Sequence, residues 1–283
     1  MKQGIIIKNI SNQYDCLVDE KVLVCTPRGK FRHSKLTPLV GDKVLVDPEK
    51  KLITDILERK NELKRPSVAN VDIALIITST KEPDISLNLL DKQIVNIEKN
   101  NITPVIVFTK LDLLNSEQLK DIKNIMRYYK NIGYKVLTNK NLFKLKLLLK
   151  KKIVVLTGQT GAGKSSLINK LDKSKNVKTS PISKALGRGV HTTRNTEIYE
   201  VKNIYIVDTP GFSSLDIADI KPTELKKYFK EFNYINCKFN DCTHEKNCEI
   251  TKAVENGIIR KSRYENYLKL LKESYESSSK LFK

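Results

Sequence analysis

The chain has 283 residues, 40% of them hydrophobic, which is long enough for two or three domains and too apolar for wholesale disorder. A formal net charge of +20 and a pI near 9.6 predict an anionic partner such as RNA, with a general lysine excess of the source proteome as the alternative. Since the apolar run at 5–7 is too short for a signal peptide and no run reaches about 18 apolar residues, membrane-embedded classes are excluded, and we expect a cytoplasmic protein without membrane contact. We also expect a monomer.

Residues 1–65 show short segments with strand-like alternation, separated by turn residues. The predicted strands are 4–10, 14–18, 21–26, 41–46 and 52–57. Five strands of this length suit a β-barrel of the OB-fold type, a fold that binds nucleic acid through one strand face and its loops. Cys16 and Cys25 lie in predicted strands and are interpreted as core residues.

A basic loop at 27–35 is the preferred RNA contact of this first domain. Its candidate contact residues, which flank Phe31 and His33, are Arg28, Lys30, Arg32 and Lys35. A solvated hairpin is the alternative interpretation. Residues 59–67 are predicted to be a linker to the second domain.

Residues 66–220 alternate between buried strands and amphipathic helices, the pattern of an α/β domain with a doubly wound sheet. The predicted strands are 72–77, 105–108, 135–137, 153–156 and 204–207. The predicted helices are 87–97, one capped by Asn115 or Ser116 and reaching Tyr129, and 142–149.

The strand at 105–108 leads into Thr109, Lys110, Leu111 and Asp112, a sequence that resembles the guanine-reading Asn-Lys-x-Asp element of GTPases. A buried carboxylate at Asp112 can accept hydrogen bonds from N1–H and the 2-amino group of guanine, whereas adenine offers no matching donors. The pattern favours GTP over ATP. An ordinary turn at a strand end is the alternative, and Thr138-Asn139 is a weaker candidate for a second guanine contact.

A phosphate-binding loop follows the strand at 153–156 and opens an amphipathic helix. Its residues are Gly158, Gln159, Thr160, Gly161, Ala162, Gly163, Lys164, Ser165 and Ser166. In such a loop, backbone N–H groups and the helix N-terminus face the phosphates, and Lys164 neutralises their charge. Ser165 is the predicted ligand of Mg²⁺.

Two later segments fit the same site. Asp208 ends a strand and is predicted to reach Mg²⁺ through water, while the Gly211 N–H meets the γ-phosphate. The polar stretch 173–196 looks like a first switch, with Thr193, or else Thr192, as a further Mg²⁺ ligand; a flexible loop is the alternative. Phe212 stands where many GTPases carry a water-orienting glutamine, so slow intrinsic hydrolysis is expected. The candidate catalytic residues are His191, which could orient or deprotonate water, and Lys164.

Residues 221–283 contain Cys237, Cys242, His244 and Cys248 on one short segment. Three thiolates and one imidazole suit a structural zinc ion in tetrahedral geometry, since four protein ligands leave no open position for water. Free thiols beside a surface histidine are the alternative. A helix is predicted at 223–232, and a second one beyond residue 260 carries basic positions that are candidate rRNA contacts, namely Arg260, Lys261, Arg263, Lys269 and Lys272.

The guanine-reading element precedes the phosphate-binding loop, the reverse of the usual GTPase order, and a circular permutation explains this without altering the folded site. These motifs and their order resemble the bacterial ribosome small-subunit-dependent GTPase family (RsgA, also called YjeQ) over nearly the whole chain. The resemblance implies an N-terminal OB-fold (1–65), a permuted α/β GTPase domain (66–220) and a mainly helical C-terminal zinc-binding domain (221–283). In this family, the spacing between the histidine and the last cysteine is expected to be somewhat longer.

The function implied is Mg²⁺-dependent hydrolysis of GTP, an acid anhydride, to GDP and phosphate during late maturation of the 30S small ribosomal subunit, with 16S rRNA as the partner. Two alternatives stay open at this stage. One is an RNA-binding assembly protein with a structural nucleotide site, and the other is a GTPase switch unrelated to ribosomes.

Overall fold

The computed structural model describes residues 1–29, 31, 37–64, 66–172, 196–208, 219–239 and 241–281, with the backbone alone at Lys64, Asp208 and 278–281. The N-terminal region folds as a barrel whose strands match the predicted ones within two residues at each end. They are β1 (Lys2–Ile10), β2 (Gln13–Val18), β3 (Lys21–Pro27), β4 (Lys43–Asp47) and β5 (Leu52–Ile56).

The barrel closes because β1 pairs with both β2 and β4, and β3 pairs in parallel with β5, which itself pairs with β4. Two-residue turns at 11–12 and 19–20 have positive φ throughout, the geometry that matches the twist of tight hairpins. Alternate residues such as Ile6 and Val44 fill the interior. Cys16 and Cys25 are fully buried there, as predicted.

The segment predicted to be a linker is instead folded as a hairpin of β6 (Glu62–Lys64) and β7 (Ser67–Ala69). Val68 is buried and forms a bridge with Val40 of the barrel region. The strands within the predicted linker 59–67 were not foreseen from the sequence. Alternation over three residues is too short to reveal a strand.

The central sheet contains β8 (Ile73–Ser79), β9 (Thr103–Thr109), β10 (Lys135–Thr138), β11 (Ile153–Thr157), β12 (Glu197–Val201) and β13 (Ile204–Asp208). Its order is β10-β9-β8-β11-β13-β12, and all neighbours are parallel except β12, which runs antiparallel to β13. The sequence prediction missed β12. This strand also meets the barrel, where Lys8 of β1 pairs with Glu197.

Helices cover both faces of this sheet, as expected for parallel strands. On one face, α1 (Leu87–Lys99) and α2 (Ser116–Asn131) pack on side chains such as Ile76 and Phe108. On the other face, α3 (Leu142–Leu149) and α4 (Lys164–Leu171) pack on residues such as Leu75 and Val107. The predicted capping residue Asn115 accepts from the Gln118 N–H and forms a capping box with it.

The C-terminal region is mainly helical, but the helix predicted at 223–232 is broken. It consists of α5 (Pro222–Leu225) and 3₁₀ turns at Lys226–Tyr228 and Lys230–Tyr234. Phe229 interrupts the run with φ −110° and ψ 89°, because its ring is fully buried against Tyr267 and Phe232. Beyond it lie α6 (Glu249–Glu255) and α7 (Lys261–Leu281).

A buried ion network fastens α7 to the central domain. The Arg263 guanidinium, fully buried, donates to Asp91 of α1 at 2.6 Å and to both carboxylate oxygens of Glu231 at 2.7 and 3.1 Å. Tyr129 and Asn266 also donate to Asp91. Burial raises the pKa of Asp91, although Arg263 opposes that shift. The prediction that Arg263 contacts rRNA is therefore wrong for this residue. Among the helices described, none is long and apolar enough to cross a membrane.

Candidate functional site

The loop 158–163 connects the fully buried strand β11 to helix α4, the context expected for phosphate binding. Gly158 has φ +135°, and a Cβ built there would lie 2.2 Å from the Ile77 carbonyl oxygen, so only glycine fits. Gly163 caps α4 in the left-handed region with φ +96°. The loop is therefore shaped by its backbone, and the first turn of α4 follows it directly.

The Lys164 ammonium lies folded over this loop. It donates to the carbonyl oxygens of Gly158 and Gln159, each at 2.7 Å. Burial lowers the pKa of Lys164, and no carboxylate of the described residues lies within ion-pair distance of it. A half-buried cation whose partners among the described residues are carbonyl groups is well suited to receive an anionic ligand. Ser165 and Ser166 follow in the first helical turn.

The segment Thr109–Asp112 lies beside this loop. Thr109 ends β9 with 2% of its surface exposed, and its hydroxyl donates to the Ala162 carbonyl oxygen at 2.7 Å. Lys110 has positive φ, and its ammonium donates to the Glu82 carbonyl. Asp112 lies in a 3₁₀ turn, Leu111–Leu113, with its side chain exposed. The fold thus brings together two predicted segments that are 53 residues apart in the sequence.

The sheet explains this meeting. Because β9, β8, β11 and β13 are parallel neighbours, their carboxyl ends share one edge, the usual ligand-binding edge of such folds. Asp208 ends β13, next to the strand that leads into the phosphate loop. Thr138 ends β10, and the following Asn139 N–H donates to the Phe108 carbonyl at 3.0 Å.

Several predicted site residues lie outside the part of the chain that the structure describes. They are His191, Thr192, Thr193, Gly211 and Phe212, together with the Asp208 side chain. Their roles stay predictions.

Sequence reasoning missed the support around Thr109. Thr80 donates to the Thr109 carbonyl through both its N–H, at 3.2 Å, and its hydroxyl, at 2.9 Å. Gln93 of α1 donates to the Thr157 hydroxyl at the end of β11, at 3.0 Å. The sequence does contain a signal for these contacts: Thr109 and Thr157 are polar residues at the ends of apolar strands, and a buried hydroxyl needs a hydrogen-bond partner.

The four predicted zinc ligands converge in the C-terminal region. The ligand atoms of Cys237, Cys242, His244 and Cys248 all lie within 4.8 Å of one another. The His244 Nδ1 is 3.3 Å from the Cys237 sulfur and 3.7 Å from the Cys248 sulfur. A tetrahedral zinc ion with ordinary bond lengths needs N–S separations of about 3.6 Å. The donor set and its spacing therefore fit one zinc ion.

Burial supports the imidazole as a ligand. His244 is 4% exposed, and burial together with Lys226 lowers its pKa to about 4, so it is neutral at pH 7. Phe232 packs edge-on against its ring. Tyr264 and Tyr267 of α7 donate their hydroxyls to the backbone carbonyls of His244 and Thr243, at 2.8 and 2.7 Å. These contacts attach the cluster to α7.

The basic loop of the barrel is described only in part. Arg28 is exposed just after β3, and its N–H donates to the Ile53 carbonyl at 3.0 Å. Lys30, Arg32 and Lys35 lie beyond the described residues. Phe31 is 9% exposed and belongs to the hydrophobic core.

Comparison with known proteins gives matches along nearly the whole chain. A family model described as the RsgA N-terminal domain matches residues 3–53, and one described as RsgA GTPase matches residues 56–218. Proteins named small ribosomal subunit biogenesis GTPase RsgA 2 from Oceanobacillus iheyensis and RsgA from Clostridium perfringens are 45% and 44% identical, each over 96% of this chain and 97% of its own length.

Two solved structures share the fold. YjeQ from Thermotoga maritima is 37% identical with a TM-score of 0.83, covering 97% of this chain and 98% of its own. YloQ, described as a circularly permuted GTPase, is 35% identical with a TM-score of 0.83, covering 98% of this chain and 96% of its own. The predicted multidomain fold, with a barrel, a permuted GTPase domain and a C-terminal region, is confirmed. On this evidence the chain belongs to the RsgA GTPase family.

Proposed function

We propose that this chain hydrolyses GTP to GDP and phosphate in a Mg²⁺-dependent reaction, and that it acts late in the maturation of the small ribosomal subunit. One observation supports the enzymatic part above all. The Thr109 hydroxyl holds the base-reading segment against the phosphate loop, 2.7 Å from the Ala162 carbonyl. The relatives named small ribosomal subunit biogenesis GTPase support the biological part, because they match 96% of the chain.

The groups that would bind the phosphates are the backbone N–H groups of the phosphate loop and the Lys164 ammonium. The N–H groups of the loop and of the first turn of α4 would face the phosphates, and Lys164 would exchange its two carbonyl partners for phosphate oxygens. Ser165, Asp208 through water, and Thr193 or Thr192 would hold Mg²⁺. When bound, the ion neutralises charge that develops on the phosphate oxygens.

The base end rests on the segment after β9. We assign Asp112 to guanine recognition and Lys110 to packing against the base, while Thr109 replaces the more usual asparagine. An Asp112→Asn variant should turn from GTP toward xanthosine triphosphate, because the amide complements a carbonyl where guanine carries an amino group. Competition between the two nucleotides, measured on the wild type and on Asp112→Asn, checks this. An unchanged GTP preference in Asp112→Asn would exclude the assignment.

Water activation requires a further group, since Phe212 cannot orient water. We assign this role to His191, whose imidazole can orient or deprotonate water near neutral pH. The expected intrinsic rate is low, and contact with the small subunit should raise it. A His191→Ala variant should bind GTP normally and lose the stimulated turnover.

The remaining parts of the proposal concern organisation. The cluster Cys237, Cys242, His244 and Cys248 would bind one structural zinc ion. We divide the chain into a barrel (1–65), a GTPase domain (66–220) and a zinc-binding domain (221–283). The protein would act as a cytoplasmic monomer on 16S rRNA, with Arg28, Lys30, Arg32 and Lys35 as contacts of the barrel.

GTP hydrolysis measured with purified 30S subunits, with 50S subunits and without ribosomes tests the enzyme and its partner together. The expected result is slow turnover alone and clear acceleration by 30S particles only. Turnover that 30S particles leave unchanged would contradict the ribosomal role. Absence of multiple turnover under all three conditions would show that the nucleotide site is merely structural.

A further inference from the structure

Positive charge is concentrated in one part of this chain. Between Asp121 and Asp172 there are twelve Lys or Arg residues and no Asp or Glu, while the whole chain carries a net +20. Apart from Lys164 and Lys170, these residues lie on α2, β10 and α3 and in the adjoining turns. Six of the twelve, the lysines at 140, 144, 146, 150, 151 and 152, fall within 13 residues, in α3 and its two flanking turns. A general lysine excess would spread charge along the chain, so this local concentration indicates a surface with a specific use.

The exposed face of α3 combines this charge with apolar side chains. Phe143 and Leu147, one helical turn apart, are 80% and 69% exposed. Lys144 lies on the same helix, while Lys140 precedes it and Lys150 and Lys151 follow it in the flanking turns; all four are exposed. We call this stripe of six residues the α3 face. Leu145 and Leu149, on the opposite side of the helix, are fully buried in the core.

Packing and ion pairs within the described part of the chain do not explain the α3 face. No carboxylate of the residues described lies within ion-pair distance of its four lysines. Phe143 and Leu147 are neighbours on one helix face, and adjacent exposed apolar groups of this kind often mark an interaction site. The α3 face begins directly after Thr138-Asn139, the weaker candidate guanine contact, but none of its six residues lies in the loops after β9 and β11 that carry Asp112 and the phosphate loop.

We propose that the α3 face binds RNA, with its lysines contacting phosphates and an unpaired base stacking on Phe143. This inference rests on the proposed ribosomal function and adds a contact surface to it. Charge complementarity selects the occupant, because four lysines without acidic neighbours match a polyanion. An exposed aromatic ring among cations is the arrangement by which proteins hold unpaired bases. The lysines span residues 140–151, and α3, which lies between them, is 8 residues or about 12 Å long, enough for a few nucleotides.

The first experiment removes charge. Lys144→Ala/Lys150→Ala is compared with Lys120→Ala/Lys123→Ala, which removes two exposed lysines from α2 on the other face of the sheet. Binding to 30S subunits and to protein-free 16S rRNA is measured over a salt series with a non-hydrolysable GTP analogue. The α3 variant should bind both at least tenfold more weakly, and the negative slope of log K against log [salt] should become shallower by about 1.5. The α2 variant should match the wild type.

The second experiment separates base stacking from ordinary apolar contact. Phe143→Ala and Phe143→Leu should each weaken RNA binding at least fivefold, whereas Phe143→Tyr should bind like the wild type. Basal GTP hydrolysis without ribosomes should remain unchanged in every variant, which shows that each one is folded.

The outcomes distinguish this inference from the proposed function. If the wild type fails to bind 30S subunits, the ribosomal function itself is wrong. If the wild type binds and the α3 variants bind equally well, the α3 face is not a contact. If the variants lose 30S binding but keep their affinity for protein-free rRNA, or if Phe143→Leu binds like the wild type, the face contacts a protein and the RNA proposal is overturned.

Discussion

The phosphate loop and the zinc-ligand segment are both short and irregular, yet they are held in shape by different means. The loop 158–163 is fixed at both ends by regular structure, β11 and α4, and its geometry depends on the backbone of Gly158 and Gly163. The segment 235–248 has no helix or strand among its described residues, and its convergent groups are side chains. The flanking strand and helix therefore shape the phosphate loop, whereas we expect a bound zinc ion to shape the segment 235–248.

The zinc segment offers the largest expected effect. A Cys242→Ser variant should lose its zinc, because structural zinc sites contribute binding free energy of about 10 kcal/mol or more that is coupled to local folding. Metal analysis should fall from one zinc per chain to nearly none, and limited proteolysis should cut within 235–248. A Cys25→Ala variant, changed in the barrel core, serves as the control and should retain one zinc. A zinc-free wild-type protein that resists proteolysis there would contradict the contrast between the two segments.

The second-largest effect is expected at the ion network that attaches α7 to the central domain, where a substitution should lower the free energy of unfolding. An Arg263→Ala variant leaves Asp91 and Glu231 as buried carboxylates without their cation. Breaking a buried ion pair in this way destabilises a protein by about 3–5 kcal/mol. Urea unfolding should show this loss, whereas Lys272→Ala, on the exposed side of the same helix, should leave the unfolding midpoint unchanged. Equal midpoints for the two variants would show that the network does not fasten α7.

The phosphate loop should respond in the opposite manner, losing function without losing stability. A Lys164→Ala variant should reduce GTP turnover about 10²- to 10³-fold, the usual cost of removing one charge-stabilising donor. Its melting temperature without nucleotide should equal that of the wild type, but added GTP should no longer raise it. Lys170→Ala, changed on an exposed position of the same helix, is the control. A large drop in the nucleotide-free melting temperature would mean that the loop is not held by its scaffold.

The smallest effect is expected at Thr109, where a substitution should lower GTP affinity only moderately. A Thr109→Val variant keeps the shape of the side chain and removes the hydrogen bond to the Ala162 carbonyl. Loss of one neutral hydrogen bond costs about 1 kcal/mol, so GTP affinity should fall about fivefold. Thr109→Ser, which retains the hydroxyl, should bind GTP like the wild type. Equal affinities for the valine and serine variants would show that this contact does not position the base-reading segment.

The sequence predicted the regular strands and helices well, but it did not predict the break in a helix or the short hairpin between the first two domains. The barrel strands, α3 and the capped helix α2 were confirmed, because each has an unbroken period of alternation or of helical spacing. The broken helix at 223–232 and the hairpin at 62–69 were missed. Each segment contains a fully buried side chain whose partner is distant in the sequence: Phe229 packs on Tyr267, and Val68 forms a bridge with Val40.

The same division holds for the functional residues. The spacing of Cys237, Cys242, His244 and Cys248 indicates a metal site from sequence alone, because ligands on one short segment need no distant partner. Likewise, the phosphate loop is readable because its glycines and lysine are consecutive. Sites built from consecutive residues can therefore be recognised from the sequence alone.

Tertiary structure alone decided how distant segments meet. It placed the Thr109 hydroxyl against the Ala162 carbonyl, and it buried Arg263, which by composition resembled a surface cation. It also left Phe143 exposed among lysines. The physical reason is that burial and pairing depend on which surfaces the whole fold brings into contact, and this information is absent from any single window of the sequence.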